Sequence, residues 1–407
     1  MKSKSMRTRF GLVMFGAALG LALAGGCSDD DSSQNNNDNG NQNNNQGLQC
    51  LNGFVSSETG RTCVYETLSE TIRTPCGDVW EDCDATGMSA PALSCIGQAD
   101  NPPPNPPTVT IQGFLDVFSA GPEPVGIVVK VFDAATLTGV TRLDDSVSPI
   151  AEVTVTQSDI EDDVSAGVAR ACFSKKDDVG IYQIECPIPT SDCMGACTDS
   201  LQGTEFCYQA QCFERLRYEG RYSLSGIPTH RPLVILTLGQ DGYTDTTWGV
   251  MAQVNVYLRT TDPEYDEVNG TYELDAQVLS RQDWYKIPQT MGLSGGISPG
   301  YGALAGEVHD CDGIRLKGAQ VGLYPQSNYF AYFNGNPLDT VPLTARLPLG
   351  TNNLGLYSEF ELPAGEIEVE AWGLVGGTRT LLGQHSSFIF QDAVTVLSIN
   401  DGKPALD

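Results

Sequence analysis

Gly355-Leu356-Tyr357-Ser358 is the segment from which the architecture of this 407-residue chain is best inferred. Pro363 follows eight places after its first glycine, and Gly220-Arg221-Tyr222-Ser223 is followed by Pro228 at the same spacing. Each copy then leads into a short apolar run. Because the same pattern recurs in two parts of one chain, the sequence predicts two homologous domains.

Short runs of β-branched residues accompany both copies. Examples lie at 126–132, 233–238 and 253–258, and turn pairs such as Asp241-Gly242 and Asn269-Gly270 separate such runs. Runs of this length suit strands better than helices. The 44 Gly, the 23 Pro and a charged fraction of only 18% are also atypical of helical bundles. The sequence therefore predicts a mainly β protein.

The sequence around the second copy resembles a known family. The segments that carry the resemblance are Gly306-Glu307-Val308-His309-Asp310, 317–323, 351–357 and 362–365. They resemble the carboxypeptidase regulatory-like domains, a family that is similar to transthyretin in fold. The resemblance implies two Greek-key, transthyretin-like β-sandwiches and brings no catalytic residues. Such domains accompany enzymes or surface proteins as structural and binding modules.

Changes of composition divide the chain into successive segments. We predict a signal peptide at 1–26, a tether at 27–49, a small disulfide-rich module at 50–100, a Pro-rich spacer at 101–107, a first β-sandwich at 108–260 with a cysteine-rich insertion at about 138–218, a linker with a short helix at 261–300, and a second β-sandwich at 301–407. Leu274, Val278, Arg281 and Tyr285 have helical spacing, and Gly292 ends that segment. We expect this helix to pack against the second sandwich.

The N-terminus resembles a bacterial lipoprotein signal peptide. Basic residues precede an apolar run at 10–24, which leads into the lipobox-like segment Leu23-Ala24-Gly25-Gly26-Cys27. The alternative is a membrane-spanning helix, but about 15 apolar residues are fewer than the roughly 20 that a bilayer requires. The resemblance implies lipid on Cys27 and a location in the cell envelope, at the outer membrane. Residues 28–49 are rich in Asn and Asp and lack aromatic residues, so we expect a disordered tether.

The charge balance excludes one class of partner. The chain has 23 Lys and Arg against 51 Asp and Glu, which gives a net charge of −28 at pH 7. Binding to nucleic acid without sequence preference requires a positive surface. We therefore expect no nucleic-acid partner, and we expect contact with the membrane to come from the lipid alone.

The 13 cysteines fit an oxidising compartment better than the cytosol. With Cys27 assigned to lipid, twelve remain as disulfide candidates, namely Cys50, Cys63, Cys76, Cys83, Cys95, Cys172, Cys186, Cys193, Cys197, Cys207, Cys212 and Cys311. The group at 50–95 has an odd number of members and Cys311 stands apart. We therefore predict that one member of that group pairs with Cys311. The connectivity otherwise stays open.

Zinc is the alternative explanation for the clustered cysteines. Cys193 and Cys197 are separated by three residues, and Cys207 and Cys212 by four, which is close to the spacing of zinc ligands. The sequence has no Cys-x-x-Cys pair, and thiolates oxidise to disulfides outside the cytosol. Disulfides are therefore the favoured interpretation, and we predict no metal ligands.

An aromatic segment is a candidate binding site. Residues 326–336 combine aromatic and amide side chains in what we expect to be a loop of the second sandwich. Tyr329, Phe330, Tyr332 and Phe333 would stack on sugar rings or fill a pocket of a protein partner.

Acidic clusters at 159–163 and 262–269 suggest a weaker alternative, calcium. Calcium takes six to eight oxygen ligands, and a complete calcium-binding loop is not present in the sequence. A solvated acidic surface is the favoured interpretation, and we predict no cofactor.

Two overlapping G-x-S-x-G strings, at 292–296 and 296–300, are the only sequences typical of hydrolases. A nucleophile elbow needs a strand before the serine and a helix after it, and neither is expected here. His309-Asp310-Cys311-Asp312 suggests a polar turn rather than a metal site. The sequence predicts a lipid-anchored envelope protein that acts as a non-catalytic binding or structural module toward an envelope or extracellular protein or glycan. The alternatives are a periplasm-facing assembly component and a hydrolase with an unrecognised site.

Overall fold

The computed structural model describes residues 48–74, 91–96, 102–118, 124–144, 146–162, 173–176, 182–185, 205–208, 211–215, 218–334 and 341–399. The predicted signal peptide, Cys27 and nearly all of the predicted tether lie outside these residues. So do six of the candidate disulfide cysteines, namely Cys76, Cys83, Cys172, Cys186, Cys193 and Cys197.

The described residues are mainly in strands. In chain order these are β1 (Phe54–Ser56), β2 (Cys63–Tyr65), β3 (Thr108–Phe118), β4 (Val128–Asp133), β5 (Ala151–Thr154), β6 (Ile160–Asp162), β7 (Phe173–Lys176), β8 (Tyr182–Glu185), β9 (Glu205–Tyr208), β10 (Gln211–Arg215), β11 (Tyr218–Pro228), β12 (Pro232–Leu238), β13 (Met251–Tyr257), β14 (Tyr265–Asp266), β15 (Thr271–Glu273), β16 (Ala276–Leu279), β17 (Tyr301–Glu307), β18 (Gln320–Tyr324), β19 (Tyr329–Phe333), β20 (Pro342–Leu343), β21 (Leu356–Pro363), β22 (Gly365–Val375), β23 (Thr378–Ile389) and β24 (Val394–Val396). Within the same ranges there is one α-helix, α1 (Arg281–Thr290). In these ranges no helix combines the length and the apolar character needed to cross a membrane.

The strands form four sheets. The central sheet has nine strands in the order β20-β19-β21-β17-β24-β13-β12-β4-β5. The first outer sheet has the order β14-β15-β3-β11-β6, with β16 also paired to β3, and the second outer sheet has the order β1-β2-β18-β22-β23. The insertion sheet, β7-β8-β10-β9, comes from the predicted cysteine-rich insertion.

Both faces of the central sheet are buried. On one face, Leu233 and Ile235 of β12 pack in a core with Ile111 of the first outer sheet. On the other face, Val234 belongs to the core that includes Val369 of the second outer sheet. Because side chains alternate between the faces of a strand, the two outer sheets lie on opposite faces of the central sheet. The predicted mainly β, sandwich-like fold is confirmed.

The two G-x-Y-S segments lie in similar strand arrangements. In the first unit β3 pairs antiparallel with β11 and parallel with β15 and β16. In the second unit β17 pairs antiparallel with β21 and parallel with β24. The register is equivalent as well, because Tyr222 lies opposite Gly113 and Tyr357 lies opposite Gly306. The G-x-Y-S segments therefore occupy the same place in two similar sandwiches.

Strand β24 joins the two units into one sheet. Val394 is paired in parallel with Met251 of the first unit and with Ala303 of the second. The last strand of the second sandwich therefore supplies the hydrogen bonds that connect its sheet to that of the first. The two sandwiches share the nine-stranded sheet through this joint.

The residues before the spacer extend the second outer sheet. Cys50 and Cys63 form a disulfide that closes the β1–β2 hairpin, and Cys63 lies opposite Leu323 of β18. Cys95 pairs with Cys311 across 216 residues, with the two Cα atoms 5.5 Å apart. The prediction that a member of the first cysteine group pairs with Cys311 is therefore confirmed.

Two segments differ from the expectation. The predicted helix exists, but it begins at Arg281, because Ala276–Leu279 pairs in parallel with β3 and places Val278 in a strand. Within the predicted insertion, β5 belongs to the central sheet and β6 to the first outer sheet. In the insertion sheet, Cys207 and Cys212 are register partners on neighbouring strands.

Candidate functional site

Helix α1 covers the sheet at the joint between the two units. Its N-cap is Ser280, whose hydroxyl oxygen accepts a hydrogen bond from the Asp283 backbone N–H at 3.1 Å. Such a cap satisfies one of the free N–H groups in the first turn. The Arg281 side chain donates hydrogen bonds to the backbone carbonyls of Asp245 at 2.9 Å and Tyr243 at 2.8 Å. The start of the helix is therefore fixed to a loop of the first unit.

A cavity lies between α1 and the sheet. Trp284, Ile287 and Pro288 of the helix form one side, and small residues of β17 and β21 form the opposite side. The apolar residues that complete the lining are Met251, Leu279, Ile297, Phe333, Leu356, Phe360, Val394 and Val396. The cavity has a volume of about 50 Å³ and opens to solvent. The enclosed part has room for a few water-sized groups at about 10–15 Å³ each.

The cavity exists because the sheet beneath the helix carries small side chains. Ala303 and Ala305 point to this face of β17, and Ala305 is paired in register with Ser358 of β21. The helix places an indole and two branched or cyclic side chains above these residues. Because large groups face small ones without interdigitating, space remains between them.

One hydroxyl in this cavity has no partner. Ser358 is 1% exposed, and its Oγ accepts or donates no hydrogen bond within the described parts of the chain. It shares a face of β21 with Leu356 and Phe360, which also line the cavity. A buried hydroxyl without a hydrogen bond is costly, by about 1–3 kcal/mol. A polar group in the cavity would remove this cost.

Two carboxylates also contact the cavity. Glu307 receives hydrogen bonds from His309 Nε2 and Arg315 Nε, both at 2.9 Å, and from Arg315 Nη2 at 3.0 Å. Burial opposes ionisation, but the Arg315 charge and the His309 hydrogen bond outweigh it and lower the pKa of Glu307 to about 2. Asp283 accepts a hydrogen bond from the Ser280 hydroxyl at 2.8 Å. Glu307 is therefore ionised at neutral pH and is paired with the Arg315 guanidinium.

The four aromatic residues of the predicted binding site lie in a strand rather than in a loop. Residues Tyr329–Phe333 form β19 of the central sheet, so the prediction of a loop is wrong. Phe330 and Tyr332 are buried in the core, where Phe330 contacts Phe54 edge-to-face with ring centroids 6.2 Å apart. Phe333 is buried and lines the cavity, and Tyr329 is half-buried. A strand of the central sheet buries aromatic residues that would be exposed in a loop.

The acidic loop at 262–269 uses its carboxylates as internal acceptors. Asp266 Oδ1 accepts from the backbone N–H of Val268 at 2.9 Å, and Asp262 Oδ2 accepts from the Tyr272 hydroxyl at 2.5 Å. In the other acidic cluster, Asp159 Oδ2 accepts from Thr156. Within the described ranges no three His, Cys, Asp or Glu side chains are grouped as a metal site.

The hydrolase-like strings lie between α1 and β17. The residues before Ser294 and Ser298 belong to the helix and its exit, and a strand follows them. The Ser298 backbone N–H donates a hydrogen bond to Glu361. A nucleophile elbow needs a strand before the serine and a helix after it, whereas here a helix precedes both serines and a strand follows them. The His309 segment forms a turn, in which Asp310 accepts from the backbone of Asp312 at 3.0 Å and Ile314 at 2.9 Å.

The cavity was not predicted from the sequence. Its residues come from β13, β16, α1, β17, β19, β21 and β24, which span almost 150 residues of the chain. The available signal was the alternation of small residues in Ala303-Leu304-Ala305, opposite a serine of the repeated G-x-Y-S segment. Without the register of β17 and β21, that alternation does not indicate a cavity.

Comparisons with known proteins identify no family. No family model and no curated protein match the chain. Among solved structures, a leucine-rich repeat protein from Bacteroides thetaiotaomicron is 10% identical with a TM-score of 0.14, over 72% of this chain and 26% of that one. The SpaE basal pilin from Lactobacillus rhamnosus GG is 13% identical with a TM-score of 0.13, over 70% of this chain and 91% of the pilin. The chain thus spans about a quarter of the leucine-rich repeat protein, and these TM-scores are too low to indicate a shared fold.

Proposed function

We propose that the protein is a lipid-anchored component of the cell envelope that acts as a non-catalytic binding module. The observation that carries the binding role is the apolar cavity beneath α1, with an unpartnered hydroxyl inside it. Apolar recesses with a few fixed polar groups are typical of sites that bind small molecules. Strand β24, which joins the two sandwiches, forms part of the lining of this site.

The disulfides support a location outside the cytosol. Cys95–Cys311 fastens an N-terminal segment to the second sandwich, and Cys50–Cys63 closes the N-terminal hairpin. Disulfides of this structural kind form in oxidising compartments. The lipobox-like segment before Cys27 supports export and acylation of that cysteine by a fatty acid, with the outer membrane as destination.

The family of the two sandwiches is part of the proposal. We infer that both units are carboxypeptidase regulatory-like, transthyretin-like domains. The equivalent strand order and register of the two G-x-Y-S segments support this inference. Such a module would present its site at the cell surface for adhesion or glycan binding, or to the periplasm for envelope assembly.

Anchoring is tested by labelling cells with an alkyne fatty acid and separating membranes from soluble proteins. Wild-type protein and a Ser28→Ala control are expected to carry label and to fractionate with membranes. Cys27→Ser is expected to lose both properties. Label that persists in Cys27→Ser would overturn the anchor.

Protease shaving of intact cells then separates the two settings. Cleavage beyond residue 50 in wild-type protein supports adhesion or extracellular binding. Full protection, with cleavage restored after lysis, supports a periplasm-facing assembly role.

A further inference from the structure

The cavity beneath α1 combines a mostly apolar lining with a buried hydroxyl that has no partner among the described residues, and this combination indicates the class of its ligand. Its lining is mostly apolar, and the polar residues within it are Gln277, Asp283, Glu307, Ser358 and Ser398. The Ser358 hydroxyl is buried between Ala305 and Ala331, which are its register partners on the neighbouring strands and offer no hydrogen-bonding side chain. A ligand group that reaches this hydroxyl would be its partner.

We propose that this cavity binds a small, neutral, largely apolar molecule whose single hydroxyl or carbonyl group forms a hydrogen bond with Ser358 Oγ. This inference rests on the proposed binding function and specifies the class of its ligand. The apolar part of the molecule lies between Trp284 and the small residues of β17. Its polar end lies at β21.

The carboxylates in the lining restrict the ligand further. Glu307 and Asp283 both line the cavity, and Glu307 accepts two hydrogen bonds from Arg315. A carboxylate on the ligand would lose its hydration in a mostly apolar lining and would approach the ionised Glu307, and both effects oppose binding. The site therefore favours an alcohol, a phenol or a ketone over a fatty acid or an aromatic acid.

The size of the cavity sets an upper limit on the enclosed group. The cavity volume of about 50 Å³ accepts a short end of a ligand rather than a long chain. The recess opens to solvent beside Ala305, which is only partly buried, so a larger molecule extends outward there. A small phenol such as p-cresol is therefore a suitable probe.

The ligand is tested by fluorine NMR on protein labelled with 5-fluorotryptophan. The chain has four tryptophans, and Trp284→Phe assigns the resonance of the one in the cavity. We expect p-cresol to shift the Trp284 resonance saturably. Toluene, which has the same shape without the hydroxyl, is expected to bind about five-fold more weakly, the value of one neutral hydrogen bond. Benzoate is expected to leave the resonance unchanged.

Matched serine variants test the hydrogen bond. Ser358→Ala is expected to weaken p-cresol binding about five-fold and to leave toluene binding unchanged. Ser387→Ala is the control, because the Ser387 hydroxyl is also buried, at 2% exposure, and without a partner in the described ranges, but it does not line the cavity. Ala305→Leu, which fills the space, is expected to abolish binding of both ligands.

The proposal is overturned if p-cresol gives no saturable shift at Trp284, or if Ser358→Ala and Ser387→Ala weaken its binding equally. The serine comparison decides the matter alone if Ala305→Leu does not fold. If either result is obtained while lipidation still depends on Cys27, the proposed ligand class is wrong and the proposed lipid anchor is retained. If lipidation does not depend on Cys27, the proposed anchor is wrong and the proposed ligand class is retained.

Discussion

The Tyr357 hydroxyl donates a hydrogen bond of 2.7 Å to the backbone carbonyl of Leu397. In the other unit, Tyr222 makes the equivalent bond of 2.6 Å to the carbonyl of Leu274. Both carbonyls lie beside the strand that runs parallel to the opening strand of the unit. The tyrosine of each G-x-Y-S segment therefore fastens the last part of its sandwich to the middle of the sheet.

The glycines opposite these tyrosines are part of the same arrangement. A Cβ at Gly306 would lie 1.9 Å from the Leu397 carbonyl oxygen, and a Cβ at Gly113 would lie 2.0 Å from that of Leu274. These distances are too short for any side chain. The close approach allowed by glycine brings each carbonyl within reach of the tyrosine hydroxyl.

Removing either tyrosine hydroxyl is expected to have the same effect. Tyr222→Phe and Tyr357→Phe each delete one buried hydrogen bond and keep the ring, so each should lower the free energy of unfolding by about 1–2 kcal/mol. Urea unfolding measures both values. Tyr285→Phe is the control, because Tyr285 is 44% exposed on α1. Values that differ by more than about 2 kcal/mol between the two buried tyrosines would contradict their equivalence.

The Cys95–Cys311 disulfide is expected to contribute substantially to stability. It closes a loop of 216 residues, and removal of a native disulfide costs about 2–5 kcal/mol, with larger values for longer loops in the chain-entropy description. The double variant Cys95→Ala/Cys311→Ala should therefore unfold at lower urea concentration than wild type.

The matched variant is Cys50→Ala/Cys63→Ala, which opens a loop of only 13 residues and should cost less. Peptide mapping under non-reducing conditions provides the direct check. A free thiol at Cys311 in the wild-type protein would contradict the pairing.

Features that depend on local residue spacing or on a residue count could be predicted from the sequence. The G-x-Y-S repeat was visible because its turn residues and tyrosine keep a fixed spacing, and the pairing of Cys311 followed from an odd count. The joint at β24 left no such trace, because a parallel pairing between Val394, Met251 and Ala303 depends on residues far apart in the chain. The aromatic segment was misplaced, because aromatic residues suit both a binding loop and a buried strand such as β19.

The buried His385 is expected to make stability depend on pH in the acid range. Both ring nitrogens lack hydrogen-bond partners in the described part of the chain, and burial lowers the pKa of His385 from 6.5 to about 4. Between these values the unfolded chain binds a proton that the folded protein does not. Stability due to this group is therefore complete above pH 6.5 and falls as the pH decreases to about 4, by roughly 3 kcal/mol in total.

His385→Leu removes this titration. The stability difference between wild type and His385→Leu should change by about 3 kcal/mol between pH 7 and pH 4, because contributions from all other groups cancel in the difference. His230→Asn controls for the loss of a histidine and keeps a residue that tolerates the positive φ of 56° at this position. A difference that stays constant with pH would contradict the assignment.

Glu359 is expected to act in the opposite direction. It is fully buried on the core face of β21, one oxygen accepts a hydrogen bond from the Ser327 backbone N–H, and the other has no partner within the described ranges. Burial outweighs the Ser327 hydrogen bonds and raises the pKa of Glu359 from 4.5 to about 8. At neutral pH the folded protein therefore holds a proton on Glu359 that the unfolded chain releases.

The sign of the effect follows from this difference in proton binding. Below pH 4.5 both states are protonated and Glu359 has no effect. As the pH rises from 4.5 to 8, the unfolded state is favoured progressively, by several kcal/mol in total at about 1.4 kcal/mol per pH unit.

Glu359→Gln keeps the shape of the side chain without the titration. The variant should match wild type near pH 4 and exceed its free energy of unfolding by several kcal/mol at pH 8. Glu366→Gln, at an exposed position of β22, controls for the loss of one carboxylate. If Glu359→Gln and wild type keep the same stability difference at pH 4 and pH 8, the carboxyl is not held protonated in the fold.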